Sequence, residues 1–478
     1  MKKLKLFLEN FLVYGVGGVI SKIIPLIMLP IITRIMPTAE YFGINDLSNT
    51  IVSFASALAI MGMYDAMYRM FFESDEIFYK KTVCATTLVF TIFTSLIIFF
   101  LLIVFRETIA AFFFNDRKLA YVVYLSAVAT LVGATNGIIS APTRMQNKRK
   151  IYLIANTVSP ILSYSIAIYL LLKGHYVIAL PLAAVISGII MEISFGLLNK
   201  QWFQLKLFDR SMLKQLIAIA LPLLPNFLVY WVFGSCDKIM ITNLIGMGAT
   251  GIYSVGAKLG HASHLIYIAF AGGWQYFAFS TMKEENQVKS NSIVFEYLGA
   301  ISFAVTGFMC AWSCGIYKIL FTEEYLGGYI IAPYLFLAPL LQMLFQVAAN
   351  QFLVVKKTWP NMFILSTGAL LNIVINYMLI PKIGIEGAAL ATLLGYAVSD
   401  AICVIVLYRM NLIVISKQFC FIGAAFVFFL ISWRLLYNNR IIVGTVSAFL
   451  LTGIIVLCYK SDLMRFLQLI KKRDLRNE

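Results

Sequence analysis

The chain of 478 residues is 61% hydrophobic and 13% charged, with a formal net charge of +16 and a mean hydropathy of +0.87. One soluble core cannot hide that much apolar side chain, which excludes an ordinary globular domain. The Lys and Arg are scattered between apolar blocks rather than gathered in a patch, which speaks against nucleic acid and for anionic lipid headgroups.

Those blocks run to roughly 18 to 25 residues each, long enough to cross a hydrocarbon core of about 30 Å as helices and too continuous for barrel strands. The start, MKKLKLFLENFLVYGVGG, is basic and then apolar without a small-residue cleavage site, and reads as a retained first helix. Helices are predicted near 11–35, 43–63, 82–105, 119–141, 151–172 and 176–198. A polar connector follows at 199–215. The second set is predicted near 216–235, 243–273, 293–317, 329–351, 361–380 and 384–407, with a further pair near 417–433 and 441–459. The total is about 14 crossings. Of the 38 Lys and Arg, 26 fall in segments on the side of the N-terminus and 10 on the other, with Lys22 and Lys258 inside helices. This excess places both termini in the cytoplasm.

A faint repeat runs through the chain. Tyr41-Phe42-Gly43-Ile44 and Ala249-Thr250-Gly251-Ile252 each close a loop and open a helix, 208 positions apart, and Gly174 and Gly384 open similar helices 210 apart. The two similar offsets suggest six-helix halves, a recurrent transporter plan with the site between the halves. Of the seven cysteines, Cys310 and Cys314 stand four apart on one helix and read as packing rather than a metal site or disulfide.

No nucleotide-binding glycine loop, metal-ligand cluster or nucleophile–base arrangement is legible, and no cofactor is expected. What stands out is polarity inside apolar helices, where ionisable groups are costly and face a cavity or a partner. Lys22 lies mid-span in the first helix and Arg34 near its end. Ser254, Lys258 and His261 share a face of the eighth, with His264 about 60° further round. Lys22 and Lys258 would together form a cationic centre suited to phosphate, which lysine binds as a point charge. The alternatives are that Lys22 reaches the interface and that Lys258 pairs with Asp237 or Glu192. Carboxylates recur at Asp46, Asp65, Glu192, Asp237, Glu296, Glu386 and Asp400. Most sit near predicted helix ends, where a solvated cap is the ordinary reading. Glu192 and Asp400 lie well along their helices, where a carboxylate could carry protons, bind sodium or bond to another helix. Amide and hydroxyl rows run along three helices: Asn45, Asn49, Ser53 and Ser56; Gln342, Gln346 and Asn350; Asn372 and Asn376. Such rows suit sugar hydroxyls and also join helices. The connector segment RSMLKQ and the tail are basic and amphipathic and are expected on the cytoplasmic leaflet, where polysaccharide assembly proteins could also dock.

The segments LPIITRIMPTAEYFGINDL, DKIMITNLIGMGATGIYSVGAKL, RMQNKRK and IPKIGIEGAALATLLGY resemble the polysaccharide transporter family, bacterial flippases of undecaprenyl-pyrophosphate-linked oligosaccharides in O-antigen, capsule and exopolysaccharide assembly. The resemblance covers nearly the whole chain and extends to the multidrug/oligosaccharidyl-lipid/polysaccharide exporter superfamily. It implies an all-α polytopic fold of two six-helix lobes around a central cavity: 1–198, then 216–408 after a connector at 199–215, with an extra helix pair and basic tail at 409–478. It also implies alternating access in a bacterial cytoplasmic membrane, with pyrophosphate and sugar in a cationic cavity and the polyprenyl tail in lipid. On this reading Lys22, Lys258, Arg34, His261, Asn45, Asn49, Gln346 and Asn376 line the cavity. Asp237, matching the acidic residue before the glycine turn, joins Glu192 and Asp400 as candidates for proton or sodium coupling. Two rivals stand beside the lipid-linked oligosaccharide flippase. Cation-coupled drug export by the same fold would favour an acidic cavity, and a membrane polysaccharide-modifying enzyme would favour a large external loop.

Overall fold

The computed structural model describes residues 22–267, 270, 274, 278, 284–355, 357, 359–462 and 464. Helix α1 covers 22–35 of the described chain, followed by α2 (Ala39–Ile60), α3 (Met63–Phe71), α4 (Ile77–Val104), α5 (Arg106–Phe114), α6 (Ala120–Met145), α7 (Arg149–Leu172) and α8 (Ala179–Asn199). Then come α9 (Arg210–Ala220), α10 (Leu224–Leu244), α11 (Met247–Gly260), α12 (Gln287–Leu320), α13 (Ala332–Val354), α14 (Trp359–Ile383), α15 (Ile385–Arg409), α16 (Lys417–Ser432) and α17 (Ile441–Cys458). The described residues hold no strand. Eleven helices among them are long and apolar enough to cross a membrane, or twelve when the bent pair α2–α3 counts as one span. The expected spans at 11–35 and 243–273 run partly into residues outside the described set, as does the tail beyond 464. Large apolar side chains such as Phe93, Phe100, Ile442 and Phe449 are exposed, as helices solvated by lipid require.

The chain divides into two compact units. The first comprises 1–258 with 369–392, and the second 259–368 with 393–478. In the first, α6 is the central helix, packed on α2, α4 and α8, with α10 against α2 and α5. The basic connector proves more structured than expected. Asp209 caps α9 by accepting from the Met212 amide at 2.6 Å, and Met212, Leu216 and Ala220 bury one face among Met63, Met67, Met70 and Leu88. Its amphipathic pattern is thus used for packing on α3 and α4. At the α2–α3 bend of 46°, Gly62 adopts a left-handed φ of 77°, and a side chain there would meet the Ala220 carbonyl oxygen at 2.6 Å. Only glycine satisfies both the turn and the approach.

A close crossing in this unit joins the two similar sequence segments around Gly43 and Gly251. A Cβ on Gly43 would sit 2.6 Å from the Met247 carbonyl oxygen and 3.0 Å from the Gly251 nitrogen, and a Cβ on Gly251 would overlap the Ala39 carbonyl. Ala39 and Met247 stand the same 208 positions apart as the two glycines. Equivalent residues therefore face each other across α2 and α11, a small-residue crossing that brings two backbones together.

In the second unit α12 packs against α13, α16 and α17. Glu296, predicted as a solvated cap, is buried instead. Its Oε1 accepts from the Ser416 amide at 2.6 Å, and its Oε2 from the Ser416 hydroxyl at 2.8 Å and the Tyr459 hydroxyl at 3.0 Å. Because α12 begins at Gln287, earlier than hydropathy placed it, Glu296 lies inside the helix and pins the C-terminal pair. Cys310 and Cys314 are buried free thiols, as packing residues should be.

The glycine crossing gives a direct test. Gly251→Ala should lower stability by about 1–3 kcal/mol through overpacking. Gly133→Ala on α6, where the added Cβ meets nothing within 4 Å, should be neutral or stabilising by about 0.5–1 kcal/mol. Thermal unfolding of both variants in one detergent checks the contrast, and equal midpoints would contradict the crossing.

Candidate functional site

Hydropathy ends the seventh span at 235 and puts Lys238 in an external loop. The structure instead carries α10 through to Leu244. Two adjacent charges look like a helix end in a sliding window, but here both find partners inside the first unit, so the helix continues. Successive residues of a helix point about 100° apart, and Asp237 and Lys238 accordingly serve two different clusters.

Lys238 faces α2. Its Nζ lies 2.7 Å from Asp46 Oδ2, while Lys258 Nζ on α11 lies 3.6 Å from Oδ1 of the same carboxylate. The Asp46 side chain is 5% exposed, that of Lys238 17% and that of Lys258 38%. Lys258 also sits 4.6 Å over the centre of the Phe42 ring, within cation–π range. The sequence alternatives for its partner were Asp237 and Glu192, and the partner found is Asp46. Two ammonium groups on one buried carboxylate leave the cluster with a surplus of one positive charge, carried where exposure is greatest.

Lys258 borders a cavity of about 460 Å³ whose polar wall is Asn45, Asn49, Asn156, Ser159, Ser163 and Ser187, from α2, α7 and α8. Pro25, Leu29 and Ile32 of α1 add an apolar wall. An apolar side, a run of amides and hydroxyls and the Lys258 ammonium form a lining that can hold a neutral polar ring beside an anionic group. Of the residues expected in a cavity, Lys258, Asn45 and Asn49 are brought together here. Lys22 and Arg34 are exposed on α1 and are not among the lining residues.

Asp237 faces the other way, into segment 369–392 of the same unit. Its Oδ1 accepts from Asn376 Nδ2 at 2.7 Å and from Asn372 Nδ2 at 3.4 Å, and its Oδ2 from the Tyr253 and Thr392 hydroxyls, both at 2.5 Å. Asn372 further donates to Thr392 Oγ1 at 3.1 Å, and Asn376 to Asn372 Oδ1 at 3.2 Å. All five residues are buried. Asn376 is therefore a partner of Asp237 rather than a residue lining the cavity. The cluster surrounds one buried carboxylate with four donors, two amide nitrogens and two hydroxyls, which compensate its charge inside the bundle. Among the described residues no group of three or more His, Cys, Asp or Glu could hold a metal ion.

The remaining candidates are dispersed. Glu192 accepts from the Thr135 hydroxyl at 2.5 Å, joining α8 to α6. In the second unit Asp400 is buried, and neither carboxylate oxygen has a hydrogen-bond partner. Gln346 Oε1 accepts from the Tyr267 hydroxyl at 2.7 Å, and His264 stacks on the same Tyr267 ring at 4.9 Å. The α-helix α11 ends at Gly260. His261, exposed, opens a 3₁₀ turn instead of continuing the face carried by Ser254 and Lys258. Sequence reasoning missed Lys238, Asp46, Tyr253 and Thr392 as members of these clusters. The usable signal was the adjacency of Asp237 and Lys238 within an otherwise apolar stretch.

Comparison with known proteins accords with this picture. The family model described as polysaccharide biosynthesis protein matches residues 7–283. An uncharacterized membrane protein of Methanocaldococcus jannaschii is 23% identical over 326 residues, 63% of this chain, which spans 64% of that relative's length. The lipid II flippase MurJ, in its inward closed conformation, superposes with a TM-score of 0.75 at 14% identity, over 95% of this chain and 100% of that one. An inward-facing multidrug resistance MATE family transporter of the MOP superfamily gives 0.63 at 12% identity, over 83% and 94%. A MOP superfamily transporter from Pyrococcus furiosus, described as having a binding pocket of reverse polarity, gives 0.54 at 13%, over 84% and 95%. The match across more than half of the sequence, on a multi-pass helical fold shared with these transporters, shows that the chain belongs to the polysaccharide biosynthesis protein family.

Proposed function

We propose that the protein is a flippase for a lipid-linked oligosaccharide, moving the headgroup of an undecaprenyl-pyrophosphate-linked repeat unit across the cytoplasmic membrane by alternating access between lobes at 1–198 and 216–408. The observation that carries the reading is the cavity in which Lys258 stands beside Asn45, Asn49, Asn156 and three serines. Lys258 supplies the charge for pyrophosphate, and the amides and hydroxyls supply the exchangeable hydrogen bonds that sugar hydroxyls need. The polyprenyl chain stays in lipid, where its transfer to water would be prohibitive. Carrier action is the work proposed for this site.

Export of cationic drugs, the alternative for this fold, fits less well. The carboxylate paired with the lining residue Lys258, Asp46, is already held by two lysines, and a surplus positive charge repels a cationic ligand. The coupling ion, a proton or sodium, is proposed to act at Asp237, a buried carboxylate held by four neutral donors. Glu192 and Asp400 remain secondary candidates.

Two outcomes test this reading. In proteoliposomes carrying a fluorescent oligosaccharide on a polyprenyl pyrophosphate, Lys258→Ala should reduce transfer at least about tenfold, corresponding to 1.4 kcal/mol, whereas Lys22→Ala should reduce it less. Wild-type rates in Lys258→Ala would sink the cationic-cavity mechanism. In the same vesicles, removing sodium or collapsing the proton gradient should slow the wild-type protein. Asp237→Asn should be slow and indifferent to both, and retained gradient dependence in that variant would remove Asp237 from coupling.

A further inference from the structure

Lys238 lies outside the cavity lining, yet it makes the shorter of the two contacts to Asp46, 2.7 Å against 3.6 Å for Lys258. Coulomb attraction falls with distance, and burial of this carboxylate of α2 keeps water from screening it. The charge of Asp46 is thus satisfied chiefly by Lys238. Lys258, more than twice as exposed, is held loosely between Asp46, the Phe42 ring and the cavity. Leaving a buried carboxylate without a counter-ion is costly. If Lys258 were its sole counter-ion, an anion entering the cavity would have to compete with Asp46 for the one ammonium group.

We infer that Lys238 is a positioning residue for the proposed substrate site: it retains Asp46 so that the Lys258 ammonium is available to an anionic group in the cavity. The inference rests on the flippase reading for its purpose, but the availability of Lys258 is a property of the protein alone. Loss of Lys238 draws Lys258 onto Asp46 and out of the cavity. Loss of Lys238 and of the Asp46 charge together sets Lys258 free again. A residue whose role were merely to fill space, or to touch the anion itself, would not be rescued by removing the carboxylate.

The experiment uses the full chain in detergent, on monodisperse fractions only, with two readouts. The first is acetylation of Lys258 by acetic anhydride, quantified by peptide mass spectrometry and normalised to exposed Lys22. Labelling should fall at least about threefold in Lys238→Met, remain near wild type in Lys238→Arg, and return in the double variant Asp46→Asn/Lys238→Met. Unchanged labelling in Lys238→Met, or a double variant as poorly labelled as the single, overturns the inference whatever the substrate proves to be. The second is binding of farnesyl pyrophosphate followed by intrinsic tryptophan fluorescence. Affinity should follow the labelling order, with a loss of about tenfold in Lys238→Met that the double variant recovers. If labelling behaves as expected while the wild-type protein fails to bind the pyrophosphate lipid, the flippase reading falls and the role of Lys238 toward Lys258 stands.

Discussion

Charge carried into an apolar bundle must be compensated by partners brought from elsewhere in the chain, and in the first unit that requirement converges on the hairpin of α10 and α11. Asp237, which also accepts from Tyr253, binds segment 369–392, while Lys238 and Lys258 bind α2 through Asp46. Each helix of the hairpin contributes one residue to each cluster. A displacement of the hairpin that improved one set of contacts would strain the other, so the two clusters share a mechanical frame. This gives a physical basis for linking events at Asp237, the carboxylate proposed for coupling, to the charge presented to a cavity, through one hairpin that contributes to both clusters.

The frame is closed by the crossing of α2 and α11 at Gly43 and Gly251. With two backbones this close, dispersion contacts between main chains replace interdigitated side chains, the mode of association available where lipid supplies no hydrophobic drive. The crossing also fixes the height at which Asp46, one turn beyond Gly43, meets Lys258, two turns beyond Gly251. The glycines that the two similar sequence segments share are thus the contact itself.

Most of the helices were legible because a membrane span declares itself by length and apolarity alone. Observed ends agree with hydropathy closely for α7, α14, α15 and α17, where apolar runs stop at charged or glycine turns. The reading failed where a charge inside a helix imitated its end, at Asp237–Lys238 and at Glu296. A one-dimensional window registers the cost of a charge but not its partner, and those partners lie 139 and 120 residues away at Asn376 and Ser416. For the same reason Lys258, Asn45 and Asn49 were legible as site residues, being polar within apolar helices, while Lys238 was assigned to a loop. The pairing of Asn372 and Asn376 on one helix face was visible from spacing, but their common target was not.

The pin at Glu296 bears on how the protein is made. Its acceptor oxygens are satisfied by Ser416 and Tyr459, which follow it by 120 and 163 residues. At a synthesis rate of about 5–20 residues per second, the last of these partners emerges roughly 8 to 30 seconds after the carboxylate. Over that interval α12 carries an unpaired acid into the bilayer, a condition under which a segment stays near the insertion machinery or its polar rim rather than dispersing into lipid. Completion of the C-terminal pair is then the step that supplies the partners of Glu296. Nascent chains arrested before α16 should be counted as a distinct assembly intermediate, held back by one carboxylate awaiting its last helices.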